Sequence, residues 1–527
     1  MGTIIYPPTL DWSYMVQRPQ QVMRQFARNG HSIMFYNKSA QEGRVVEFPE
    51  PGIAVIRHSL AFVDELLPLL PTEGRLYWTS WSRKLPHART LGVDRVVYDC
   101  VDDFPDWEEE ERQFAASADL IICTASHLET KMRQLLPNKP IYLVPNGCDY
   151  EHFAEGSSES GTRTGAAKAE ADSAWQRIAG HSGPVIGYIG AWAPWVNEDW
   201  IRAASAAMPD ALFYIAGPTL REDTGPLGPN VVMLGYRRYE ELPALLRMTR
   251  VCVIPFHLNR ITMSTNPVKV YEYLAAGKPV VSSPLPEVLP LQPSVFIAHD
   301  RDEFALRVEE ACLESADRNV ERSVWSRQFS WEERFKTISE ALGDHFPDWK
   351  NEAAGSLPVA EWEKYWTKQL PLRFRTVNSY YPDKCLLQDP PYVGCPAGGV
   401  YETFLSVDTR LFPGSPLRVY LEFDAHVPPG GVPDALPLME LSVAKPSVPL
   451  ERLTDRTKPE CRPLADMSLK RSIDDSLALD LTPYLSSLPE NGRFLIKLAS
   501  RITRPYRLDR PRLTFLLKDS GQEEESL

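Results

Sequence analysis

Lys269 and Glu272 stand three residues apart in the stretch Asn266 to Val281, NPVKVYEYLAAGKPVV. On a helix that spacing puts an ammonium and a carboxylate on one side. Placed at a helix start, the pair suits an anion with hydroxyls beside it. Free first-turn N–H groups and the positive end of the helix dipole hold phosphate, Lys269 adds a full charge, and Glu272 accepts from vicinal hydroxyls. A nucleotide diphosphate with its ribose has that chemistry. The stretch reads as a short helix with Asn266 as N-cap and Pro267 at the first position. Val268, Tyr271 and Ala275 fall on its inner face, and Gly277 ends it before an apolar strand at Val280. The same pattern also describes a surface helix with one solvated Lys–Glu pair, and on pattern alone the two readings stand level.

The elements that must position this helix repeat along the chain. Thr3 to Tyr6, Ser32 to Tyr36, Leu76 to Trp78, Arg95 to Tyr98, Leu120 to Cys123 and Ile141 to Val144 read as strands. Helical patterns lie between several of them. One opens at Pro19 with Val22, Met23 and Phe26 inward; another runs from Ser126 to Leu135, with Ser126 and Glu129 as a capping box. A second alternating set has strands at Val185 to Ile189, Leu212 to Ala216, Val231 to Leu234, Val251 to Pro255, Val280 and Val295 to Ala298. Its helices start near Asn197, run from Tyr239 to Met248, and end with one capped by Ser330 and Glu333. Alternation of this kind predicts parallel sheets whose ligands gather at the strand ends. Residues 154–183 are Ser-, Gly- and Ala-rich and read as a linker. From about Pro358 the period becomes two: Val419, Leu421 and Phe423 alternate with Tyr420, Glu422 and Asp424, and the alternation extends through Ala425, His426 and Val427. Met439 to Val443, Leu477 to Leu481, Phe494 to Leu498 and Leu513 to Leu517 repeat it. That predicts an antiparallel β-sandwich. The tail from Gln522 to Leu527 is acidic and expected to be disordered.

Length and charge narrow the function classes. A chain of 527 residues is too long for one core. Its formal net charge of −13 argues against nucleic acid or an anionic membrane surface as partner. The opening MGTIIYPPTLDW lacks the features of a signal peptide, and no run approaches a transmembrane span. The eight cysteines, Cys100, Cys123, Cys148, Cys252, Cys312, Cys385, Cys395 and Cys461, form no Cys-x-x-Cys pair. Zinc and redox motifs are therefore unsupported, and a reducing cytoplasm fits.

The run Pro-x-Lys-x-Tyr-Glu-Tyr-Leu-Ala-x-Gly-x-Pro-Val-Val resembles the donor-nucleotide motif of GT-B glycosyltransferases, in particular the large retaining group called family 4. Trp12 with the QRPQQ run, the loop YDCVDDF after a strand, and VPNGCDYEHF at Val144 to Phe153 are similar to the same family, including members that act on bacterial surface polysaccharides. The resemblance implies two doubly wound Rossmann-like domains, residues 1–153 on the acceptor side and 184–350 on the nucleotide-sugar side, with the last helix crossing back. The accessory β-sandwich of residues 358–520 follows; its RPRLTF segment is similar to the closing strand of jelly-roll modules.

The resemblance also assigns roles. Lys269 would neutralise the leaving diphosphate, the backbone at Asn266 and Gly190 would cradle it, and Glu272 would hold the ribose. Tyr236 would contact the base, and Arg18 would reach the phosphates or acceptor from the first domain. The family's first Glu falls on Ser264, so Asp102 is expected to take over part of the sugar contact as a catalytic group beside Lys269 and Ser264. A local salt bridge or turn cap is the equally open reading of Arg18 and Asp102. The loop GAWAPWVNED lacks the cations that many family members carry there. No metal and no other cofactor is expected. The implied activity is transfer from a nucleotide-diphosphate-sugar to a glycan or lipid-linked acceptor in the cytoplasm, with peripheral contact to membrane-bound biosynthetic machinery. A nucleotide-sugar epimerase and a non-catalytic sugar-binding scaffold are the alternatives.

Overall fold

The computed structural model describes residues 2–70, 73–93, 95–154, 173–221, 225–347, 357–384, 391–396, 399–424, 436–489, 492–503 and 506–519. Most of the expected linker, Cys385, the continuation at Ala425 to Val427 and the acidic tail lie outside them. The chain divides into two units: residues 1–6, 12–33 and 72–355, and residues 7–11, 34–71 and 356–527. The predicted first domain, 1–153, is thereby shared between the units.

In the first unit, Thr3–Tyr6, Arg75–Thr79, Arg95–Cys100, Leu120–Cys123 and Ile141–Leu143 pair successively in parallel. The Arg18–Arg28 helix buries Val22, Met23 and Phe26, the face its spacing predicts. The Ser126–Leu135 helix differs at its start. Its N-cap is Ala125, so Ser126 is already helical and forms no capping box. The Ser126 N–H donates instead to Glu287 Oε1 at 2.7 Å.

The second parallel sheet runs in the order Val231–Gly235, Leu212–Ala216, Val185–Ile189, Val251–Ile254, Val280–Ser282, Val295–Ile297. Several of these strands are continuous apolar runs because a parallel sheet is covered on both faces; Val185–Ile189 and Leu212–Ala216 are buried throughout. Strand order reverses between Val185–Ile189 and Val251–Ile254. There the flanking connections part to opposite faces and leave a crevice at the strand ends. The Trp331–His345 helix is capped by Ser330, whose side chain accepts the Glu333 N–H. It returns to pack on the first helix, with Phe335 edge-on to Phe26 at 4.9 Å and Gln25 bonded to Glu332.

The second unit holds two antiparallel sheets. One contains Lys470–Arg471, Leu477–Asp480, Arg418–Asp424, Asp509–Lys518, Tyr365–Pro371 and Gly43–Arg44; the other contains Arg373–Asn378, Tyr401–Asp408, Arg493–Ala499, Leu438–Ala444 and Arg462–Ser468. Leu405, Val407 and Ile496 from one sheet share a single apolar cluster with Val419, Leu421, Phe423, Leu513 and Phe515 from the other. The alternate residues depart from expectation. Tyr420 and Glu422 are buried, not solvated. Residues 34–71 cover them: Leu60 packs with Tyr420 and Ala478, Asp64 accepts from the Tyr420 hydroxyl, and His58 meets Glu422. Trp362 lies between Phe48 and Phe62.

Candidate nucleotide-sugar site

The helix of the Lys–Glu motif spans Val268–Ala275 and buries Tyr271, Tyr273, Leu274 and Ala275. Gly277, at φ 70°, terminates it, and the Lys278 N–H closes the end on the Tyr273 carbonyl at 2.9 Å. Its start differs from expectation. Pro267 occupies the N-cap and no side chain caps the helix. Asn266 is engaged elsewhere, because a partner from the first domain competes for it. Its Oδ1 accepts the Asn146 N–H at 3.1 Å, and its carbonyl accepts from Asn146 Nδ2 at 2.6 Å. Its Nδ2 donates to the Tyr271 hydroxyl and to Glu287 Oε2. The first-turn N–H groups of the helix thus keep no side-chain acceptor.

Lys269 reaches from this helix to the crevice where strand order reverses. Its ammonium lies 4.9 Å from the ring centroids of Tyr188 and of Phe256, and 3.5 Å from the Tyr188 hydroxyl. Tyr188 is in the Val185–Ile189 strand, and Phe256 follows Val251–Ile254. Gly190 makes the approach feasible. A Cβ there would sit 2.6 Å from Lys269 Nζ, and the residue holds φ 147°. A Cβ on Gly217 would likewise collide with the Gly190 carbonyl oxygen. Burial brings the Lys269 pKa down to about 8, although Glu272 works against the shift. No carboxylate lies within ion-pair distance of this ammonium among the described residues, so its electrostatic need is unmet.

Glu272 is 9% exposed. Burial pushes its carboxyl up to about 7; Lys269 opposes the shift and Asp149 adds to it. Its carboxylate makes no hydrogen bond or ion pair among the described residues. Lys269 and Glu272 thus flank Gly190 at the switch point, the ammonium without a carboxylate in ion-pair range and the carboxylate without a hydrogen bond among the described residues.

The other predicted residues divide. Tyr236 is 39% exposed, stacks on Tyr14 at 5.3 Å, and its hydroxyl accepts the Met15 N–H at 3.2 Å. Met15 holds a left-handed φ of 45°. Asp102 is half-buried, and burial alone pushes its carboxyl up to about 7. Among the described residues Asp102 makes no hydrogen bond or ion pair with the Val268–Ala275 helix. Ser264 is buried, and its hydroxyl donates to the Arg260 carbonyl at 3.0 Å. Arg18 does not reach outward. It is 3% exposed, its Nε donates to both Asp99 oxygens at 2.9 and 3.0 Å, and its Nη1 donates to Val144, Pro145 and Asn146. Arg18 thus forms a buried salt bridge with Asp99, while its Nη2 has no hydrogen-bond partner among the described residues. Tyr14, Tyr188, Phe256 and Arg260 were not singled out by sequence reasoning; short apolar or polar runs carry no signal for contacts made across the fold.

Residues 183–313 match the family described as Glycosyl transferases group 1. The putative teichuronic acid biosynthesis glycosyltransferase TuaH of Bacillus subtilis (strain 168) is 25% identical over 319 residues, covering 54% of this chain and 77% of that protein. Among solved structures, the UDP-forming α,α-trehalose-phosphate synthase of Burkholderia xenovorans in complex with glucose-6-phosphate aligns with a TM-score of 0.49 at 12% identity, covering 65% of this chain and 100% of that one. Anabaena HepE in complex with UDP and glucose aligns with a TM-score of 0.45 at 15% identity, over 65% and 99%. The group 1 match contains Gly190, Tyr236, Asn266, Lys269 and Glu272, so the family likeness and the crevice fall on the same domain.

Proposed function

We propose that this protein is a retaining glycosyltransferase that moves a sugar from a nucleotide-diphosphate donor to a glycan or lipid-linked acceptor in surface polysaccharide biosynthesis. The observation that carries this reading is the Lys269 ammonium, held without a counter-ion against Gly190 at the switch point of a doubly wound sheet. The group 1 match over the same residues and the likeness to TuaH support it.

In the proposed reaction the bond from sugar C1 to the diphosphate oxygen breaks, and its electron pair stays on the diphosphate. The acceptor hydroxyl oxygen bonds C1 on the same face, and its proton passes to the leaving oxygen. Lys269 and the first-turn N–H groups stabilise the charge that develops on the diphosphate. Glu272 accepts from the ribose hydroxyls, and Tyr236 borders the base. Asp102 is the proposed sugar contact from the first domain, and Ser264 shapes the turn before Asn266. The transfer is proposed to run in the cytoplasm without a metal or other cofactor, beside membrane-bound machinery. No helix among the described residues is long and apolar enough to cross a membrane. The two-sheet unit, read as a jelly-roll-like β-sandwich, is proposed as an accessory domain. A second reading, a non-catalytic nucleotide-sugar binder, is favoured by the engagement of Arg18 and Ser264 within the protein.

Calorimetry with UDP and GDP tests the site. Charge-assisted bonds contribute roughly 1.5–3 kcal/mol each, so Lys269→Ala and Glu272→Ala should each weaken binding by about one to two orders of magnitude. Unchanged affinity in both variants would remove the site. Transfer of labelled sugar to an acceptor, with the anomeric configuration read by NMR, separates the retaining enzyme from the binder.

A further inference from the structure

Several polar contacts join the two Rossmann-like domains of the first unit, Gln21–Tyr239 and Ser126–Glu287 among them, and two others differ sharply from each other. At the Asn146–Asn266 pair both residues are buried and exchange backbone and side-chain hydrogen bonds. Separating them would strand amide groups away from water. At the Arg260–Asp103 pair the arrangement is different. Arg260 grips the carboxylate with two prongs, Nε to Oδ2 at 2.8 Å and Nη2 to Oδ1 at 3.0 Å. Its Nη1 donates to Glu108 at 2.9 Å. The Arg260 side chain is 40% exposed, so water can resolvate it on release. Asp103 is buried, but Lys131 holds its Oδ1 at 2.7 Å from within the first domain. If Arg260 lets go, Asp103 keeps a cation. One contact is therefore built to stay and the other is built to part at low cost.

The ends of this second contact give it significance. Asp103 immediately follows Asp102. Arg260 begins the short helix Arg260–Met263, its carbonyl takes the Ser264 hydroxyl, and the chain then runs through Asn266 into the Lys269 helix. A single guanidinium thus ties the first-domain loop bearing Asp102 to the segment that leads into the donor crevice. The fully buried apolar core of the second domain starts at Cys148, with Val16 of the first domain packed against it, and neither Asp103 nor Arg260 belongs to it.

We infer that Arg260 is a closure latch, a positioning residue that clamps the Asp102 loop onto the donor domain through Asp103 while the buried Asn146–Asn266 pair serves as the hinge. The inference rests on the donor-site reading above for its purpose, but not for its geometry. Opening at the latch admits donor; closing brings the two sides of the cleft together.

Hydrogen–deuterium exchange on the full chain tests it, with and without UDP or GDP. Arg260→Gln should speed exchange of residues 100–104 and 257–266 by about tenfold, while Val251–Ile254 exchanges as in the wild type. Bound nucleotide should slow those two segments in the wild type and fail to do so in the variant. Arg260→Lys, which keeps the charge, should restore part of the protection. Arg307→Gln, which removes a surface helix ion pair, should leave both segments unchanged. Wild-type exchange at 100–104 in Arg260→Gln overturns the latch, as does an equal acceleration of every strand. Calorimetry on the same samples keeps the readings apart: if neither nucleotide binds the wild type, the donor site falls, and the nucleotide-free exchange still judges the latch.

Discussion

Two buried glutamates, one in each unit, are treated in opposite ways. Glu422, in the two-sheet unit, is 1% exposed and fully attended. His58 Nε2 lies 3.1 Å from its Oε1, and Arg512 and Thr514 donate to its Oε2 at 3.2 and 2.7 Å. Burial alone would raise its pKa, yet His58 and Arg512 outweigh that and hold it at about 2. Glu272, nearly as buried, has only Lys269, outside ion-pair range, to oppose burial and sits at about 7. Burial is common to both; the partners differ. A buried carboxylate with two hydrogen-bond donors and an imidazole at ion-pair distance is part of the fold's own architecture. One without any is a cost to the folded state, retained where a ligand supplies the missing donors.

The largest test of that contrast removes a whole set of partners. Deleting residues 356–527 takes Trp362 from between Phe48 and Phe62, the strand paired with Gly43–Arg44, and Glu422 from His58. Residues 34–71 would be left with a bare apolar face and an orphaned imidazole. The 1–355 fragment should be insoluble or lack a cooperative melt. A soluble fragment with a sharp melt would mean that these contacts are dispensable and that the second unit is a detachable module.

Single substitutions sharpen the comparison. Glu422→Ala leaves the buried His58 without its carboxylate and the half-buried Arg512 with Asp424 alone, and should cost about 3–5 kcal/mol in urea unfolding. Glu272→Ala removes a carboxylate that nothing satisfies and should change stability by less than about 1 kcal/mol, or raise it. The acid behaviour has opposite signs. Glu422 has a depressed folded-state pKa, so its contribution is complete above its ordinary value of 4.5 and is lost as pH falls toward about 2. Glu272 has a raised one, so its term weakens the fold as pH climbs from 4.5 to about 7. Equal losses from both alanines would erase the distinction.

How much of this was legible in the sequence follows from where each partner comes from. The Val185–Ile189 and Leu212–Ala216 strands match their predicted bounds because an apolar run between breaks is a local signal. The Lys269–Glu272 pair was legible for the same reason, its geometry being set by one helix. Asn266 and Ser126 were misread as caps because their competitors, Asn146 and Glu287, are remote in sequence. Glu422 alternates with Leu421 and Phe423 and so reads as solvent-facing. Only the residues around His58, more than 350 positions earlier in the chain, turn that face into an interior. Period gives the element; it does not say what covers the second side.

The smallest effect is the most specific to the pair. In the free protein Lys269 loses its proton near pH 8 and Glu272 gains one near pH 7. A donor diphosphate needs Lys269 charged, which fails as pH rises above about 8. Ribose hydroxyls are accepted best by ionised Glu272, which fails as pH falls below about 7. Affinity for a nucleotide-diphosphate-sugar should therefore peak between these values, and each limb should approach tenfold per pH unit beyond its pKa. The sugar diester is the right probe because its diphosphate does not itself titrate in this window. Glu272→Gln should flatten the acidic limb and leave the alkaline one. Lys269→Met should flatten the alkaline limb on a weaker baseline. The sign is fixed by the physics of burial, which moves an acid up and a base down until their windows nearly meet. Affinity that stays constant across the range would mean that ligand enters without touching either group, and the contrast with Glu422 would then concern stability alone.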